Sequence, residues 1–307
     1  MSLNIRQISI TNTNIVVISK LKHHNQAIIQ PMKNHTLLIS LLLMGLIMTI
    51  DSMSQSTKID KYFDHFPRGL KTVSKGPLLY RLTIDWSNRD IDGKLMNHNI
   101  AVGTLTKGLE DDSTEWSDVT LIEIRDSTRN KKELKELEGL KYKILGDNFT
   151  RLDFYKDFPQ ARVDLIRWFV QDQVAFDVYG LMFLDSLKLN TPFYPDLFRN
   201  LDTKIDNYVN VNTKNLSITW TGISKINHKM CALIHYQTMY NPIDADNDAM
   251  KLNGRTCFWG DIWVSLNDRQ IEFATMNEDL IFKMQLKANK YEQRINLQRD
   301  LKFEKIK

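Results

Sequence analysis

The sequence predicts an α+β protein dominated by β-structure: an antiparallel meander, as an open barrel or curved sheet, with a helical segment packed on or capping it. Three observations predict this. Strand-like segments recur with turn signals between them, one amphipathic helical stretch interrupts them, and the last third of the chain alternates apolar and polar residues.

Taken in order, Leu78 to Thr106 reads as a β-hairpin. Leu79 to Trp86 is strand-like, Asp92-Gly93 is a strong turn signal, and Asn99 to Leu105 returns. Val119 to Ile124 reads as another strand, and the charged stretch Lys131 to Leu140 as a short solvated helix with Leu134, Leu137 and Leu140 as a narrow apolar stripe. The segment 153–210 is a helical insertion. After Pro159, the residues Val163, Ile166, Phe169, Val170 and Val174 recur at helical spacing, predicting a helix over Gln160 to Tyr179. Thr191-Pro192-Phe193-Tyr194-Pro195 breaks the pattern, and a second, shorter helix is expected over Asp196 to Tyr208. Trp168, Phe169, Phe176, Tyr179, Phe183, Phe193, Tyr194 and Phe198 make this zone aromatic, as core packing between a helical element and a sheet requires.

The C-terminal zone alternates most cleanly. Leu216, Ile218, Trp220 and Gly222 interleave with polar residues, Asn227-His228 marks a turn, and Cys231 to Tyr240 returns. A loop over Asn241 to Gly254 is expected next, then strands over Arg255 to Leu266 and Gln270 to Thr275 joined at Asn267-Asp268. Tyr291, Ile295, Leu297, Leu301 and Phe303 share odd parity, which favours a final strand over a helix.

Ahead of this body lies the uncharged apolar run Leu37 to Ile50, which ends at Asp51. It falls short of the ~20 residues a spanning helix needs, and matches a signal-peptide core with Lys33 and His35 before it and Ser52 and Ser54 at the cleavage position. The expected organisation is therefore a non-native or disordered extension over 1–31, a signal peptide over 32–54 starting at Met32, a lead-in arm over 55–77 bearing Tyr62, Phe63 and Phe66, and one β-rich domain over 78–307. The expected product is exported to a bacterial periplasm or the extracellular space, with no stable transmembrane span after processing. Removing residues 1–54 takes away Arg6, Lys20, Lys22 and Lys33 but only one acid, so the formal charge falls from +4 to near +1. No clustered basic face remains to bind nucleic acid.

Both cysteines, Cys231 and Cys257, lie in the exported part, where an oxidising compartment allows pairing. A bridge between them requires one antiparallel register, with the turn centred at Asp244; symmetric closure of the loop over Asn241 to Gly254 gives another. The pair therefore stands as a candidate disulfide beside the alternative of two free thiols.

The strand over Thr256 to Ser265 carries the sharpest functional hint. Phe258, Gly260, Ile262 and Val264 share one face, an ordinary core pattern, and Trp259, Asp261 and Trp263 share the other. Two indoles flanking a carboxylate suit a sugar ring or an acyl chain, because indole offers a wide apolar face and the carboxylate accepts hydrogen bonds from hydroxyls. The competing reading has the helical zone covering this face, with Asp261 bonded to an indole N–H or an arginine.

Other constellations are weaker. Asp244, Asp246 and Asp248 imitate a calcium loop, but Ala249 and Arg255 occupy the positions that need Gly and Glu. Glu272, Glu278 and Asp279 could supply paired carboxylates for glycoside hydrolysis, but Glu272 and Glu278 fall roughly 20 Å apart on a straight strand, so only a fold partner, such as Asp261, would complete a pair. His65, His98, His228 and His235 sit in no nucleophile or metal motif, and no phosphate-cradling loop is present. No cofactor or metal is expected. The sequence thus favours a non-enzymatic binding or carrier module of the cell envelope, holding an apolar or amphipathic ligand between curved sheet and helical cap. The alternatives are a carbohydrate-binding or glycoside-hydrolysing protein using the Trp259-Asp261-Trp263 face, and a structural envelope protein.

Overall fold

A computed structural model of the chain describes Phe66 and residues 76–306, apart from 111, 206–208, 249 and 289–291. The expected extension and signal peptide, and all of the lead-in arm except Phe66, Gly76 and Pro77, lie outside the described residues.

The body is one large antiparallel sheet, not closed into a barrel, with a helix packed on one face. Its strands are β1 (Leu78–Arg89), β2 (Leu95–Lys107), β3 (Thr114–Arg125), β4 (Thr128–Glu133), β5 (Leu140–Tyr142), β6 (Pro192–Phe193), β7 (Leu201–Ile205), β8 (Val209–Thr213), β9 (Ser217–Ile226), β10 (Lys229–Asp246), β11 (Met250–Ser265), β12 (Ile271–Leu286) and β13 (Glu292–Ile306). The order β4-β3-β2-β1-β13-β12-β11-β10-β8-β7 joins two meanders through the non-local β1–β13 pair. β10 is long enough to pair with two strands on one side, β9 along its first half and β8 at Ile243 and Asp244.

The meander follows the turn chemistry. Asp90 closes the β1–β2 turn by accepting from the backbone N–H groups of Asp92 and Lys94 (3.0 and 2.8 Å), and Gly93 takes the positive φ of 82° the turn needs. Asn227 and His228, both at positive φ, make the two-residue turn between β9 and β10.

Between β8's hairpin partner β7 and β5 lies the helical insertion, whose principal element is α1 (Val163–Asp177). A short 3₁₀ turn over Gln160–Arg162 precedes it, and a π-turn over Val178–Met182 extends it. Ile166, Phe169, Val170, Gln173 and Phe176 form its buried stripe at three- and four-residue spacing. They meet the sheet through aromatic contacts: Trp116 stacks on Phe169 (centroids 4.5 Å), Phe176 on Phe303 (5.5 Å), and Phe303 on Tyr80 (4.4 Å). Glycine permits the closest approach, since a Cβ on Gly180 would lie 2.9 Å from Ile262 Cγ2. The buried Tyr142 hydroxyl accepts from Trp116 Nε1 (2.9 Å) and donates to Gln173 Oε1 (2.8 Å), tying α1 to β5 and β3.

Beneath α1 three charges are buried together. Arg299 of β13 bonds Asp172 of α1 (2.5 Å) and Glu278 of β12 (2.6 Å), and its guanidinium lies 4.7 Å from the Trp168 ring centroid. Thr256 of β11 donates a further bond to Glu278 (2.9 Å). One cation faces two carboxylates, and burial outweighs the Arg299 charge at Asp172, pushing its pKa from 3.8 up to about 7.

Three expectations are corrected. Lys131 to Leu140 is no helix: Lys131, Lys132 and Glu133 belong to the exposed edge strand β4, and only Lys135–Leu137 turns, as a 3₁₀ segment that buries Leu134 and Leu137. The spacing of those leucines suits a 3₁₀ turn as well as an α-helix. Among the described residues, the segment expected as a helix over Asp196 to Tyr208 holds the 3₁₀ turn Asp196–Phe198 and then β7, where Leu201, Thr203 and Ile205 follow the period of a strand. The loop over Asn241 to Gly254 is also absent, because β10 and β11 run on through it to a tight turn after Asp246.

The Asp172 cluster yields a pH prediction. A carboxyl whose folded-state pKa lies above its unfolded value adds stability that is complete below the unfolded pKa and is lost as pH rises through the folded one. Melting temperature should therefore fall as pH rises from about 4 to about 7 and level off above that, and Asp172→Asn should flatten that decline. Thermal melts across this range check it, and parallel profiles for the two proteins would reject it.

Candidate functional site

The three sequence-nominated residues lie together on the sheet face opposite α1. The helix meets the other face of β11, where Ile262 and Val264 are fully buried and Phe258 stacks on Tyr179 (5.8 Å). Trp259, Asp261 and Trp263 thus point away from the helix, and the expectation that the helical zone covers them is not met. They are not idle, however. Asp261 bonds Nδ1 of His235 across the β10–β11 pair (3.0 Å). The Trp263 indole N–H donates to Ser224 Oγ (2.9 Å), and its ring packs against Phe273 (5.3 Å). All three side chains remain partly exposed. Asp85 and His98 form a second carboxylate–imidazole pair (2.7 Å) on β1 and β2.

Among the acids considered for glycoside hydrolysis, the sheet separates Asp261 from Glu278. Glu278 lies on the helix side with Arg299, Asp261 lies on the opposite face, and Glu272 is buried against Lys229 (2.7 Å) and Lys305 (3.2 Å). Among the described residues no group of three His, Cys, Asp or Glu side chains is arranged to hold a metal. Asp244 accepts from the Asn210 amide (3.0 Å) and Asp246 from Lys287 (2.6 Å) instead.

The candidate disulfide is also corrected. Cys231 pairs in register with Ser265, and Cys257 with Asp279, so the thiols are far apart along their strands and both are free. The bulge between Thr238 and Asn241 and the near-symmetric closure of the β10–β11 turn set that register. Burial pushes the Cys231 thiol up to about 11, and burial raises Cys257 as well.

A larger concavity lies elsewhere, unannounced by any sequence motif. α1 carries a second stripe beside its sheet-facing one: Gln171, Val174, Ala175 and Val178, continued by Met182. This stripe forms one wall of a cleft of about 1450 Å³. The facing wall comes from the β7–β8 hairpin and Asp244 of β10, and the ends from the segment 146–153 and from Leu197 and Phe198. Met182 is 59% exposed, Leu197 56% and Leu152 39%, so large apolar side chains converge on a space that no described element fills. The signal was present in the sequence: the apolar arc of the helix is wider than one sheet-facing stripe requires, and it runs on to Met182.

Among the described residues no helix is long and apolar enough to cross a membrane. The chain matches no protein-family profile and no curated protein sequence, so the site rests on its own chemistry.

Thiol chemistry tests the register. Unfolded but unreduced protein should take two alkyl groups, and the native protein should label slowly at pH 8 because both thiols are held protonated. A mass two hydrogens light, with no alkylation before reduction, would contradict the free-thiol arrangement.

Proposed function

We propose that the protein is an exported, non-enzymatic binding or carrier module of the cell envelope, taking an apolar or amphipathic ligand into the cleft between α1 and the β7–β8 end of the sheet. The observation that carries this reading is the part-exposed apolar stripe, ending at the exposed Met182, on a helix whose adjacent stripe is already used against the sheet. A helix needs one apolar stripe to dock on a sheet. A second one, opening on about 1450 Å³, exceeds the ~300–1,000 Å³ that enclose a small ligand and leaves room for a chain-like one.

The test uses a naphthylamine fluorophore that brightens in apolar surroundings, displaced by the neutral amphiphile monolaurin. Saturable binding is expected. Replacing Met182 and Leu197 together by Glu should weaken it about tenfold or more, because a carboxylate in an apolar contact costs at least ~1.4 kcal/mol. Both residues are exposed, so each change should alter stability by only ~0.5 kcal/mol. Absence of saturable binding, or unchanged binding in the double variant, would reject the cleft as the site.

A second reading, a glycan-binding surface on the opposite sheet face, is favoured by one observation: no described element packs over the two part-exposed indoles beside the His235–Asp261 pair. Trp259→Ala should then slow the protein less in affinity electrophoresis through soluble glycans while its melting temperature barely moves. Trp263→Ala should instead destabilise it, since that indole also serves Ser224 and Phe273. Equal glycan mobility of Trp259→Ala and the parent would count against this surface.

A further inference from the structure

Three Asn-x-Ser/Thr triplets occur in the chain: Asn34-His35-Thr36, Asn148-Phe149-Thr150 and Asn215-Leu216-Ser217. Each matches the acceptor pattern for an asparagine-linked oligosaccharide, a bulky hydrophilic group that an exported protein carries on a surface loop. The first triplet lies in the segment expected to be cleaved, outside the described residues.

The other two differ in what their carboxamides do. Asn148 is half-buried and closes a turn: its Oδ1 accepts from the Leu145 backbone N–H (3.1 Å) and its Nδ2 donates to the Lys143 carbonyl (3.1 Å). A sugar on that nitrogen would be driven against the turn it holds. Asn215 is exposed in the loop between β8 and β9, at a φ of 52°, a left-handed conformation that Asn adopts more readily than most residues. Among the described residues its carboxamide has no hydrogen-bond partner. The loop itself is fixed, because the Lys214 backbone N–H donates to Asn241 Oδ1 (2.9 Å) and the Lys214 carbonyl accepts from the Thr238 hydroxyl (2.5 Å). Between Thr238 and Asn241, the bulge of β10 carries Met239 and Tyr240, 63% and 59% exposed. A hydrophilic branch rooted at Asn215 therefore displaces no described contact and stands beside apolar side chains that it can cover.

We propose that Asn215 carries an N-linked oligosaccharide and that Asn148 does not. This rests on the export reading above and adds a modification that is independent of the cleft. Ser217 is buried at the start of β9, paired with Gln237, so the triplet is accessible to a transferase only before β9 joins the sheet. The transfer accordingly accompanies export and precedes folding. In that step an oligosaccharyltransferase joins Nδ2 to the anomeric carbon of a lipid-diphosphate-linked oligosaccharide. The bond from that carbon to the diphosphate oxygen breaks, the lipid diphosphate leaves with the electron pair, and Nδ2 gives up one proton. Folding then places the glycan outside on the β8–β9 loop, whereas a chain modified at Asn148 loses its turn and is depleted from the folded product.

The experiment takes the protein from the cells that export it and treats it with peptide-N-glycosidase in heavy-oxygen water, which converts each glycosylated Asn into a labelled Asp. Mass spectrometry then maps the label and the N-terminus together. Label is expected at Asn215 and none at Asn148. In intact mass, Asn215→Asp should remove the whole oligosaccharide increment while keeping a residue that accepts the left-handed position, and Asn148→Asp should leave the increment unchanged. A bare Asn215 in a chain lacking residues 1–54 would overturn the site while leaving the export reading intact. A bare Asn215 in a chain that keeps them would remove both, and label at Asn148 would overturn the choice between the two triplets.

Discussion

The Asp172–Arg299–Glu278 cluster is the constraint on which the rest of the arrangement depends. It is the place where the helix, β12 and β13 share charges that have left water. Charges so buried tolerate little misplacement: separating one partner leaves an uncompensated ion, at a typical cost of ~3–5 kcal/mol, whereas hydrophobic contacts can slide and repack. The aromatic layer of Trp116, Phe169, Phe176 and Phe303 supplies the bulk attraction that holds α1 to the sheet. The ion cluster, with Trp168 against the guanidinium, fixes where along the sheet it sits.

That placement determines what the other stripe of the helix does. With Ile166, Phe169, Val170, Gln173 and Phe176 committed to the sheet, Val174, Ala175 and Val178 must face sideways, toward the β7–β8 hairpin. The sheet widens there because β10 outruns β9 and picks up β8 on its second half. The cleft thus arises from two features acting together: a helix held at a fixed height by ions, and a strand long enough to carry a second neighbour. Neither is a local property of the residues that line the cleft.

This explains which parts were legible in the sequence. The hairpin β1–β2 was readable because Asp92-Gly93 is local chemistry, and β13 because Leu297, Leu301 and Phe303 share a parity that survives any tertiary context. The strand β4 was not, because a charged, fully exposed edge strand has no apolar alternation to reveal it. Asp172 was hidden for a related reason. A carboxylate on the buried arc of a helix looks like an error in the pattern until its partners, more than a hundred residues later, are brought beneath it. The inner and outer faces of β11 could be separated by alternation alone, but which of them the helix would cover could not, since parity does not say on which side of the sheet the insertion lies.

The location of the helix also places the two proposed ligand surfaces on opposite sides of the sheet. An apolar chain needs a trough with two walls, and α1 with the β7–β8 hairpin supplies them on one side. A glycan needs a flatter platform with hydrogen-bonding groups at its edge, and β11 offers that on the other through Trp259, Trp263 and the His235–Asp261 pair. The backbone of β11 is tightly held between these faces: a Cβ at Gly260 would run into the Thr275 carbonyl oxygen and the Tyr236 hydroxyl, so glycine there permits Tyr236 to bond Thr275 (2.9 Å) across the strand. Asp261 follows directly, and its backbone N–H donates to the Thr275 hydroxyl (3.3 Å). The carboxylate on the outer face is thus positioned by the same close packing that seats Tyr236 beneath Tyr179 of the π-turn (centroids 4.9 Å), which links the two faces through the backbone of one strand.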